Sequence, residues 1–131
     1  MRNVWLDLPS TTPYVLEIDR EAIDSYNAKT AGATKINVES IPEPFIGNPA
    51  SATVILLNLN PGDSPHDPKA HADPDFRAAI IGNLRHEPQE YAFYSLNPKF
   101  EWTPCGQWWT RNLHGLWARG RLTRERVAER L

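Results

Sequence analysis

Hydrophobic positions fall into two kinds of run along this chain. In "SATVILLNL", residues 51–59, they are nearly continuous and rich in β-branched residues and Leu, the pattern of a strand buried on both faces of a parallel sheet. "EYAFYSLNP", residues 90–98, reads as a second strand ended by Asn97-Pro98, and "YVLEID", residues 14–19, as a short third. Elsewhere the spacing is helical. Phe76, Ile80, Ile81 and Leu84 form one apolar stripe in "PDFRAAIIGNLRH". Asp73-Pro74-Asp75 supplies its start: an N-cap, a proline at the first position and an acid. Asp19 caps a helix predicted through about Ala28. Trp109, Leu113, Leu116 and Trp117 share a face of "GQWWTRNLHGLWARG", which Gly120 stops, and Thr123 caps a last helix, "RERVAERL". Pro42 and Pro44 forbid helix in "GATKINVESIPEPFIGNP".

Strands and helices in this order predict an α/β fold: three layers around a parallel sheet, in a single domain over residues 1–131. Only two or three strands are legible, and the last helix runs to Leu131 without a stop signal. The expectation is therefore that the fold continues beyond Leu131, or that another chain covers the open edge of the sheet.

Composition narrows the class. Twelve prolines, many of them between the predicted elements, imply stiff loops rather than disorder. The one cysteine, Cys105, excludes an internal disulfide and a cysteine-built zinc or iron–sulfur centre, and it suits a reducing cytoplasm. No apolar run reaches the length of about 18 residues that a membrane helix needs, and residues 1–15 lack a signal-peptide core. The net charge of −2 is unevenly placed. Residues 102–131 carry six Arg against Glu125 and Glu129, and Arg111, Arg119 and Arg121 are candidates for phosphate contact. A solvated helical face explains the same charges.

The strand-end tripeptide Asn60-Pro61-Gly62 is the candidate for chemistry. Ligands of open α/β sheets bind beyond the carboxyl ends of the strands. There Asn60 offers a donor and an acceptor, Pro61 fixes φ, and Gly62 allows close approach to the backbone. An Asx turn, with Asn60 bonding its own following backbone, uses the same residues for shape alone.

"LLNLNPG", preceded by "PFIGNPASA", resembles the first motif of the uracil-DNA glycosylase superfamily, nearest its mismatch-specific and thymine-DNA glycosylase branch. The resemblance spans roughly Pro42 to Leu116, with Asn58 standing where that branch has Gly. It implies a base flipped into a pocket and hydrolysis of its N-glycosidic bond. Asn60 would hold the attacking water, and Asn58, Pro61 and Gly62 would shape the pocket. His71 or Phe76 would wall it, in place of the aromatic the family has about a dozen residues after the motif, and Asn97 would read the base. DNA or a nucleobase is the implied partner, with no cofactor and no metal. The family's second, DNA-wedging motif has no counterpart after Leu116.

Other constellations are weaker. Asp63, Asp67, Asp73, Asp75, His66 and His71 have metal-compatible donors, but their spacing matches no ligand motif. Ser64 lacks a nucleophile elbow. Cys105 fits a small buried hydrophobe. Trp102 and Trp108 are the aromatics expected at the surface, where they can stack a base or dock a protein. Two further functions stay open beside base excision: a non-catalytic nucleotide- or small-ligand-binding module, and a protein-interaction domain, homo-oligomeric or otherwise.

Overall fold

The computed structural model describes residues 2–58 and 64–131. They form five α-helices and five 3-10 turns, and no β-strand is found among them. The expected three-layer α/β fold with a parallel sheet is thus overturned. Backbone hydrogen bonding gives the reason. The N–H groups of Thr53 and Val54 both donate to the carbonyl of Arg130 at 2.9 Å. Among the described residues nothing continues that pairing through 55–58, and Ile55 and Leu57 are 79% and 91% exposed. The second expected strand turns on itself instead. Leu96 N–H donates to Phe93, Asn97 N–H to Tyr94, and Phe93 N–H to Ala128. A sheet needs paired extended backbones. A continuous apolar run specifies only that each residue be buried, and a tight turn meets that demand as well as a strand does.

Two compact units divide the chain, Met1–Pro42 and Glu43–Leu131. The first holds 3-10 turns at Val4–Asp7, Glu17–Asp19 and Gly32–Thr34, and helix α1 (Arg20–Lys29). The strand expected over 14–19 is absent; its last residues form the turn that leads into α1. Asn27 closes the loop that follows. Its amide donates to the carbonyl of Ile36 at 3.0 Å and accepts the N–H of Ile36 at 2.8 Å.

The second unit contains α2 (Asp67–Ala72), α3 (Pro74–Leu84), α4 (Pro104–Trp117) and α5 (Arg124–Arg130), with 3-10 turns at Tyr94–Leu96 and Pro98–Phe100. Capping side chains start α3, α4 and α5. Asp73 accepts from the N–H groups of Asp75 and Phe76, Thr103 from Gly106, and Thr123 from Arg126. Each such cap satisfies backbone donors that the first helical turn leaves open. Gly120, at φ 71°, ends the run after α4 as expected.

The core joins Tyr91, Phe93, Leu96 and Leu113 to Val127 and Ala128 of the last helix and to Leu131 just after it, with Trp109 and Trp117 packed against it. Beside it Phe76 is fully buried, edge-on to Tyr94 and Phe100 at centroid distances of 5.9 and 5.2 Å. Burial of a side chain that size stabilises by about 1.5–3 kcal/mol. Leu116, expected on the apolar face of α4, is 49% exposed, because Trp109, Leu113 and Trp117 already fill the contact.

Candidate active site

A buried polar cluster lies in the second unit, and Glu43 is its centre. The Glu43 carboxylate faces three partners. Its Oε1 is 3.2 Å from Nε2 of His71. Its Oε2 accepts the phenol O–H of Tyr94 in a short hydrogen bond, and the thiol of Cys105 lies 3.9 Å from the same oxygen. The Ser95 hydroxyl is 3.2 Å from the Cys105 sulfur. Only 13% of the His71 side chain and 16% of that of Glu43 reach solvent.

Local structure explains how these groups meet. Glu43 stands between Pro42 and Pro44, and a residue that precedes proline is biased away from helical backbone. His71 lies in the last turn of α2, and Asp73 both terminates α2 and caps α3. That double cap turns the chain sharply and sets His71 edge-on to Phe76, centroids 6.0 Å apart. Tyr94 and Ser95 belong to a 3-10 turn, and Cys105 sits in the first turn of α4 behind the Thr103 cap.

The electrostatics follow from burial. The Tyr94 phenol is held well above its ordinary range, first by burial and then by the Glu43 charge. Burial and then the same carboxylate push the Cys105 thiol up to about 12. Both groups keep their protons at neutral pH, so both donate toward Glu43. Such a thiol is not a nucleophile, since the thiolate is the reactive form. The imidazole differs. Its Nε2 faces the Glu43 carboxylate, and Nδ1 is buried with no hydrogen-bond partner.

Of the residues expected at the site, Asn60, Pro61 and Gly62 lie outside the described residues, as does Asp63. Asn58 is exposed. His71 and Phe76 meet, His71 in the polar cluster and Phe76 in the aromatic stack. Asn97 caps the turn Pro98–Phe100, accepting the N–H of Lys99 at 3.1 Å, which is turn chemistry. Arg111, Arg119 and Arg121 are all exposed, on α4 and just after it. Arg124 is instead committed to the fold. Its guanidinium bonds the Leu96 carbonyl, Glu101 and Thr110 and lies over the Trp117 ring. Trp102 and Trp108 are 44% and 41% exposed.

Three of the metal-compatible residues are otherwise engaged. Asp73 is a cap, Asp67 accepts the Ser64 N–H at 2.7 Å, and Asp75 pairs with Lys99. Among the described residues no three His, Cys, Asp or Glu side chains are placed to hold a metal ion. No described helix is long and apolar enough to cross a membrane.

Glu43 and Tyr94 were not singled out from sequence. The available signal was an acid inside the apolar stretch "IPEPFI", where a solvated carboxylate is out of place. A separate shallow cleft of about 140 Å³, lined by Gly47, Asn83, His86 and Gln89 among others, is less suggestive. The Asn83 amide there is taken up by the Gly47 N–H and the Phe45 carbonyl, each at 2.9 Å. Comparison of the chain with protein-family models, with curated proteins and with solved structures found no match.

Proposed function

We propose that this chain binds a nucleobase and hydrolyses its N-glycosidic bond, as its resemblance to the uracil-DNA glycosylases implies. One observation carries the reading: His71 is paired with an anchored carboxylate and lies against the aromatic ring of Phe76. The reaction asks for such a group. As the bond to the base breaks, the sugar becomes cation-like and the base takes the electron pair. A carboxylate–imidazole pair assists the water more than the amide of Asn60 does alone. No sheet that could position Asn60 is found among the described residues, so support for the site now rests on the cluster and on the motif of Asn58–Gly62. Exposed Arg111, Arg119 and Arg121 suit contact with DNA phosphates. The test is an abasic-site assay on uracil- and mismatch-containing duplexes, with Asn60→Ala and Glu43→Gln as controls. Cleavage that both variants abolish is expected; no cleavage of any such duplex by the wild-type chain refutes the reading.

A second reading, a protein-interaction domain, is favoured by the exposed apolar run Val54–Leu57, whose four side chains are 42–91% exposed. Sedimentation across a concentration series tests self-association. The reading predicts assembly that Leu57→Asp abolishes.

A further inference from the structure

We infer that the outer face of α4 is a binding surface for single-stranded nucleic acid, with Trp108 as the ring on which a base stacks and Arg111 and Arg119 as the phosphate contacts. The inference does not rest on base excision, since a strand can be held without being cut.

The helix sorts its residues by face. Gly106, Trp109, Leu113 and Trp117 lie on the core side; Gly106 and Leu113 are buried, and both indoles pack on the hydrophobic cluster. At about 100° per residue, the opposite side carries Trp108, Arg111, Asn112 and Gly115 and, two residues past the helix end, Arg119. All five are exposed.

Charge names the class of partner. No Asp or Glu occurs between Glu101 and Glu125. Glu101 is itself taken by Arg124 at 2.8 Å. Among the described residues Arg111 and Arg119 have no carboxylate partner, whereas Arg2, Arg20, Arg124 and Arg126 each have one. A merely solvated helical face mixes the two signs and gains from pairs at i and i+4. An unopposed positive face fits a polyanion.

The exposed aromatic ring selects among polyanions. Trp108 is 41% exposed, yet its ring is anchored: it stands edge-on to Trp109 at 4.6 Å, and Trp109 stands edge-on to Phe93 of the core at 4.8 Å. The indole is thus presented already ordered, which lowers the entropy cost of stacking on it. Bases in a duplex are stacked on one another; those of a single strand have free faces, and any base gains on an indole. Gly115 supplies a further observation. In mid-helix glycine is less favourable than alanine, and a Cβ there would meet nothing within 4 Å. Nothing within the chain requires glycine at that position; close approach of a sugar–phosphate backbone is served by it.

The test is titration of the full chain with oligothymidylate and oligouridylate of about 12 nucleotides, read by quenching of tryptophan fluorescence across a salt series. Binding of either strand is expected, with log K falling against log salt at a slope of about −1.4 or steeper, roughly 0.7 for each of the two arginines. Trp108→Ala, folded by circular dichroism, is expected to weaken binding on the order of 10-fold, and Trp108→Phe to recover most of the loss. The double variant Arg111→Gln, Arg119→Gln is expected to bind more weakly and with a flatter slope. No binding of either strand at low salt overturns the inference. So does unchanged affinity in Trp108→Ala, tighter binding of a duplex of equal length, or equal competition by polyglutamate, which offers charge without bases and would mark an acidic protein as the partner. Base excision is decided by cleavage and this surface by binding, so either can fail while the other stands.

Discussion

Alanine placed at two glycines of α4 is expected to act with opposite signs. Inside a helix alanine is favoured over glycine by about 1 kcal/mol. At Gly115 an added Cβ meets nothing within 4 Å, so propensity acts alone. Gly115→Ala is expected to stabilise the protein by about 0.5–1 kcal/mol. At Gly106 the same Cβ would lie 2.1 Å from the carbonyl oxygen of Phe100, 2.8 Å from its carbon and 3.1 Å from Cα of Glu101. All three are backbone atoms. The Phe100 oxygen is also fixed, since it accepts the Thr103 N–H at 2.9 Å and the Thr103 hydroxyl at 2.8 Å. Relieving the clash means moving the start of α4 off the turn Pro98–Phe100, at about 1–3 kcal/mol for overpacking and about 1 kcal/mol for each hydrogen bond lost. Less the gain in propensity, Gly106→Ala is expected to destabilise by roughly 2–3 kcal/mol. Urea titration followed by tryptophan fluorescence reads both effects as midpoint shifts at constant m. In thermal melts each kcal/mol moves the midpoint of a chain this size by about 4 °C. A Gly106→Ala protein as stable as wild type would refute the packing of α4 on that turn. Destabilisation by Gly115→Ala would refute the openness of the other site.

Three further outcomes are expected. Cys105, displaced upward from 9.0 to about 12, holds a proton in the folded chain that the unfolded chain releases, so its contribution is full below pH 9 and is lost as the pH rises toward 12. Urea midpoints should therefore fall across that range, by at most about 1.4 kcal/mol per pH unit from this group, and fall less in Cys105→Ala. Arg124→Ala should cost about 2–3 kcal/mol, because three hydrogen bonds of a side chain only 15% exposed are lost, and lysine cannot restore the fork; Arg126→Ala, which breaks an exposed pair with Glu129, should leave the midpoint unmoved. Asn83→Ala should cost about 2–3 kcal/mol in the same titration, since it strands the Gly47 N–H and the Phe45 carbonyl.

Helix starts were legible because their chemistry is local. Asp73, Thr123 and the proline at the first position of α3 do what their types do anywhere. The sheet was misread for the converse reason. Pairing is a property of two distant segments, and neither "SATVILLNL" nor "EYAFYSLNP" carries information about whether the other is extended. His71 and Phe76 were singled out from sequence as residue types; that the two rings touch depends on Asp73 ending one helix and starting the next. Glu43 was hidden because its partners Tyr94 and Cys105 lie 51 and 62 positions away.

Precision at the cluster must then come from something other than a sheet, and the caps provide it. Glu43, His71, Tyr94 and Cys105 arrive on four separate segments, each fixed by a short-range device. Prolines flank Glu43, Asp73 follows His71, Asn97 closes the turn after Tyr94, and Thr103 opens the helix that carries Cys105. Each of these caps satisfies one or two backbone donors and contributes about 1 kcal/mol. Three caps and a pair of prolines, converging on one carboxylate, restrain it as a rigid strand would. The buried core behind them, Phe76 edge-on to Tyr94 and to His71, keeps the phenol and the imidazole from turning. A cluster of this kind needs no sheet, because none of its members is held by one. It is correspondingly sensitive to the polar residues at helix ends, which reach no ligand themselves.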